Sequence, residues 1–171
     1  MAANKKRTAL LIVSGALTAI ICVVMNFILI PIIEETTEGL RCFDMNSMGY
    51  TFDQAKQFLS LLSERGRDVY LHIQLPLDFF YPVAYTAFFM LAITALRGKP
   101  TPLLALPAAL AASDYIENIC SIKMLRAMDV TPALAGFASA VTVVKSALMT
   151  ATFILLAVLL IVWLVKRRKK S

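Results

Sequence analysis

The sequence predicts an all-α integral membrane protein: a bundle of four transmembrane helices, with an amphipathic helix in the loop between the first two. Three observations carry this. Hydrophobic residues fill 59% of the 171 positions and mean hydropathy is +0.74, more apolar side chain than a soluble fold of this size hides. The apolar residues fall into four long runs. The charged residues, 16% of the chain, are segregated between those runs. The length suits one polytopic domain, residues 1–171,.

The first run, Thr8–Ile33, follows the basic patch Asn4-Lys5-Lys6-Arg7. It is longer than the ~7–15 apolar residues of a signal peptide and has no small-residue cleavage site, so a retained helix is expected. The second and third runs are Leu75–Leu96 and Leu103–Leu125. The fourth, Ala133–Val165, would be roughly 50 Å long against a hydrocarbon core of ~30 Å. It must tilt, bend or project.

Basic residues set the expected direction. Lys5, Lys6 and Arg7, then Arg97 and Lys99, then Lys166, Arg167, Arg168, Lys169 and Lys170 share one side with no acid among them. The positive-inside rule puts both termini in the cytoplasm, with the plasma (inner) membrane the expected location. The outer loop, residues 34–74, holds "TFDQAKQFLSLLSERG". There Thr51 or Asp53 would cap a helix, Ala55, Phe58, Leu59 and Leu62 form its apolar stripe, and Gly66 would stop it.

The third run carries "AASDYIENICSI". Asp114, Glu117, Asn118 and Ser121 are spaced i, i+3, i+4 and i+7, one face of a helix. A carboxylate facing lipid costs several kcal/mol, so this stripe is expected to face the bundle interior. Asp78, Tyr81 and Tyr85 share a face of the second helix, although Asp78 would also suit a helix cap after Pro76 and Leu77. Lys145 falls towards the outer side of the fourth helix, either snorkelling or neutralising an acid. Ser139, Thr142, Ser146 and Thr150 line that helix, and Ser14, Thr18, Cys22 and Asn26 line the first. Such stripes are usually packing glue.

The expected site is therefore a polar, acidic pocket in the outer half of the bilayer. Asp114, Glu117 and Asp78 are the candidate catalytic carboxylates. Asn118, Tyr81, Tyr85, Lys145, Ser121, Arg67 and His72 are the candidate binding residues. Two carboxylates one turn apart repel, so they would share a proton or meet a cation. The leading expectation is binding or processing of a lipid-like or small amphipathic molecule. The alternatives are a small proton- or cation-coupled carrier, or a non-catalytic accessory subunit of a membrane complex.

The cofactor is left open: Asp114, Glu117 and Asp78 could supply oxygen ligands to a hard cation, but the chain has no recognisable metal-ligand spacing, with no CxxC, no HExxH and one histidine, His72,. The net charge of +6 reflects membrane topology, and nucleic-acid binding is not expected. Gly15 with Ala19, and Gly136 with Ala140, offer small-xxx-small contacts within the bundle or in a homo-oligomer. A Cys42–Cys120 bridge would need both thiols in an oxidising compartment. Signal peptidase II is similar in topology and in its paired acids. Its asparagine- and arginine-flanked aspartate motifs are absent here, so no activity is carried over. The sterol-isomerase type of fold also places acids in a membrane pocket, again without a matching local motif.

Overall fold

Two prolines decide where the long helices are irregular. A computed structural model describes residues 2–169, with side chains from Lys5 onward. Every regular element among them is helical. Lys170 and the Asn4 side chain, both counted in the basic flanks, lie outside the described residues. Helix α1 (Ala2–Val24) passes through a π-helical turn, Met25–Leu29, into α2 (Ile30–Glu34). Helix α4 (Glu64–Val69) passes through a second π turn, Tyr70–Gln74, into α5 (Leu75–Arg97). Each π turn ends just before a proline pair, Ile30-Pro31 or Leu75-Pro76. Proline supplies no N–H to the preceding turn. The residue before it bonds five back instead of four: Ile30 N–H donates to the Met25 carbonyl and Leu75 N–H to that of Tyr70. The two widened turns pack against each other.

The chain continues with α6 (Ala105–Ala127) and α7 (Pro132–Arg168), the latter capped by the Thr131 side chain on Leu134 N–H. α5 is central: α1 packs on one side of it, and the antiparallel pair α6 and α7 on the other. Arg7 and Thr8 share a cavity with Thr94 and Gly98, so the start of α1 and the end of α5 lie together. We call this the termini end and the opposite one the loop end.

Three helical stretches are long and apolar enough to cross a membrane: Lys5–Glu34, Glu64–Arg97 and Pro132–Arg168. The fourth expected span, 103–125, forms α6 but is not among them. Its length suffices, yet Asp114, Glu117, Lys123 and Arg126 interrupt its apolar sequence. α7 has large apolar side chains exposed along its second half, from Phe153 to Val165, as a helix longer than its packing partners must.

The loop is shorter than expected. The second long helix begins at Glu64, not Leu75, because Ser63 caps it by accepting from Gly66 N–H at 3.0 Å. Gly66 therefore lies inside that helix and stops nothing. The preceding amphipathic helix, α3 (Phe52–Leu61), ends because Leu62 turns extended. Its start is a capping box in which Thr51 and Gln54 exchange side-chain-to-backbone hydrogen bonds. The stripe Ala55, Phe58, Leu59 and Leu62 is buried as the spacing predicts. It packs with Phe43, Tyr50 and Tyr70 into an apolar core over the helix ends, which also contains Cys42 and Cys120. All three cysteines are free thiols.

Candidate functional site

Asp114, Glu117, Asn118 and Ser121 are all buried on α6, with Asp114 2% and Glu117 1% exposed. α7 supplies the cation. Lys145 Nζ donates to Asp114 Oδ1 at 3.3 Å and also to Glu117 Oε2, so it turns inward and does not snorkel. Tyr85 of α5 donates its hydroxyl to Asp114 Oδ2 at 2.9 Å, and Thr142 of α7 donates to Glu117 Oε1 at 2.5 Å. All four carboxylate oxygens of the pair thus have a protein donor. This satisfies the condition under which buried charge is tolerated.

Asp78 differs. It lies in the interior of a continuous helix, so it caps nothing. It is 4% exposed, and its carboxylate accepts no hydrogen bond from any described residue. It interacts through charge with Asp114, Lys145 and Glu117. The cluster therefore holds three carboxyl groups and one ammonium.

Asn118 has a structural task. Pro82 provides no N–H to the Asp78 carbonyl four residues earlier. Asn118 Nδ2 donates to that carbonyl at 3.1 Å. Tyr115 donates its hydroxyl to the next one, Phe79 O, at 3.2 Å. α6 thereby repairs the break that Pro82 makes in α5. The signal was present in the sequence, since a proline inside a helix always frees a carbonyl one turn back.

Other expected residues are distributed differently. Tyr81 stands edge-on to Tyr85, with centroids 5.1 Å apart, but packs against Ile21 and Met25 of the first helix. Ser14 and Thr18 on α1, and Asn26 in the π turn that follows it, bond carbonyls of their own helix, four residues back. Of the first helix's polar stripe, Cys22 alone is directed towards the cluster, through a hydrogen bond with Tyr81. Arg67 caps the end of α6, with Nε donating to Leu125 O at 3.0 Å and Nη2 to Arg126 O at 3.3 Å. His72 pairs with Asp68 at 2.8 Å in an exposed position. Arg67 and His72 line a separate surface cavity, away from the acids.

Two residues that the spacing argument passed over adjoin the cluster. Gln74 lies one turn before Asp78, is 1% exposed, and neither atom of its amide has a partner. Tyr50 descends from the loop. Its N–H donates to Ser139 Oγ at 2.8 Å, one turn from Thr142. The approach requires Gly49, whose φ is +84° and where a Cβ would stand 2.7 Å from Ser139 Oγ. The buried Tyr50 hydroxyl has no hydrogen-bond partner. Burial, and then the Glu117 charge, hold it well above the usual phenol range, so it is a neutral hydroxyl. In the same loop, burial pushes the Cys42 thiol up, with Asp44 and Glu34 adding to the effect.

Comparison with protein-family models, curated proteins and solved structures finds no match to this chain.

Proposed function

We propose that this is a four-span membrane protein with both termini cytoplasmic, and that it binds or processes a lipid-like or small amphipathic molecule at the loop end of its charge cluster. One observation carries the reading. The Gln74 amide and the Tyr50 hydroxyl are buried without hydrogen-bond partners; Asp78, one turn from Gln74, is 4% exposed, and Asp78 and Tyr50 both interact through charge with Glu117. Buried polar groups are rarely left unsatisfied in a native fold. Together they supply a carboxylate, an amide donor and acceptor, and a hydroxyl, the set that a polar headgroup bearing an amine or hydroxyls would satisfy. α6 serves as the fourth span because its charged residues Asp114 and Glu117 turn inward to Lys145. The basic flanks gathered at the termini end favour a cytoplasmic position for that end.

The test is to purify the full chain in mild detergent and identify retained small molecules by mass spectrometry. Asp78→Asn and Gln74→Leu are expected to lose the retained molecule while keeping the elution volume of the folded protein. Equal retention by both variants would refute the reading.

A second reading is favoured by the complete pairing of Asp114 and Glu117: the charges only fix helix assembly, and the protein is an accessory subunit. Asp114→Asn would then change abundance and co-purifying proteins, and Asp78→Asn would change neither.

A further inference from the structure

A cavity of about 400 Å³ lies between the start of the second long helix and the end of α6, and the acid cluster makes no use of it. Its charged walls are Glu64, Asp68, Arg67 and Arg126, joined by His72. Arg67 is held in place by the α6 carbonyls it caps. Those two bonds occupy two of the five N–H groups of a guanidinium, which leaves three. Arg126 is exposed and forms no ion pair among the described residues. Of the acids, Asp68 is paired with His72, while Glu64 forms no ion pair among the described residues. Two guanidiniums beside two carboxylates suit a ligand with both signs of charge. A purely anionic group would meet Glu64 and Asp68, and a purely cationic one would meet the arginines.

The remaining walls are apolar, Leu71 and Ile122. One turn along α6 from Ile122, Ile119 is 48% exposed. A further turn on, Tyr115 packs on Phe79 of α5 with ring centroids 5.8 Å apart. The charged cavity therefore adjoins an apolar strip on α5 and α6, of the polarity that the first part of an acyl chain requires. Guanidinium forks bind phosphate oxygens in pairs.

We propose that this cavity binds the phosphate–ammonium headgroup of a zwitterionic phospholipid, with phosphate on Arg126 and Arg67, ammonium on Glu64, and one acyl chain along Ile122 and Ile119. The inference rests on the membrane placement proposed above and is independent of the ligand proposed for the acid cluster.

The experiment uses the full chain in detergent, titrated by native mass spectrometry with dioleoyl phosphatidylethanolamine, dioleoyl phosphatidylglycerol, dioleoylglycerol and soluble glycerophosphoethanolamine. Phosphatidylethanolamine is expected to bind roughly tenfold more tightly than the other three, and Arg126→Glu to weaken it by about tenfold. Glu64→Gln should narrow the gap between phosphatidylethanolamine and phosphatidylglycerol. Equal binding of those two lipids by the unaltered chain, or no effect of Arg126→Glu, overturns the proposal. Glycerophosphoethanolamine binding as tightly as the lipid overturns the lipid assignment in favour of a soluble zwitterion. Flotation of the protein with phosphatidylethanolamine vesicles on a sucrose gradient is read separately. Failure there refutes the membrane placement itself.

Discussion

Two groups of buried polar side chains lie next to each other in this protein, and they are treated oppositely. In the Asp114–Glu117–Lys145 group every carboxylate oxygen has a donor, supplied by Lys145, Tyr85 and Thr142. In the Tyr50–Gln74–Asp78 group the Tyr50 hydroxyl and both atoms of the Gln74 amide are buried with no hydrogen-bond partner. Burial alone does not distinguish the two; satisfaction does. A fully paired group holds α5, α6 and α7 together and needs no ligand to satisfy its carboxylate oxygens. An unpaired group weakens the fold unless something else fills its valences.

The sharpest way to break the contrast is Lys145→Met. It leaves two buried carboxylates without their cation and is expected to cost about 3–5 kcal/mol, read as a large drop in unfolding temperature and yield of the detergent-purified protein. Tyr85→Phe removes one donor to a buried carboxylate and should cost about 1.5–3 kcal/mol in the same measurement. Asn118→Ala should cost about 1–3 kcal/mol by stranding the Asp78 carbonyl. That loss should largely vanish in a Pro82→Ala background, where residue 82 regains an N–H for the same carbonyl. An undiminished loss there would mean that Asn118 acts otherwise than by repairing the proline break. At the small end, Gln74→Leu removes an amide that has no partner. The unliganded protein should change by less than about 1 kcal/mol, and the effect should appear only in molecules retained through purification.

Much of this was legible from residue order, and what was missed has definite causes. Apolar runs and the i, i+3, i+4, i+7 spacing located α6 and its buried face, because helical periodicity is local information. For the same reason the spacing narrows the cap to Thr51 or Asp53, of which Thr51 is the one that caps, with Gln54 completing the box. The start of the second long helix was missed because Ser63 and Glu64 are ordinary loop residues until Ser63 accepts from Gly66. The same sequence reading grouped Arg67 and His72 with the acids. In space they lie outside that group, because the helix carrying them begins well before Leu75 and takes them to its surface. Tyr50 and Gln74 were invisible for a different reason. Nothing in a sequence marks a polar side chain that will be buried without a partner; only the packing of the loop against α7 reveals it.

The widened turn at Tyr70–Gln74 has a geometric consequence. It accommodates one residue beyond what a regular helix would fit into the same rise, and one residue corresponds to about 100° of rotation about the axis. α4 and α5 are therefore out of phase with each other by design of the chain. At about 100° per residue a uniform helix would bring Arg67, Asp78 and Tyr85 to within roughly 20° of one another; the widened turn instead sets the face of Arg67, which meets the end of α6, apart from that of Asp78 and Tyr85, which meet its middle.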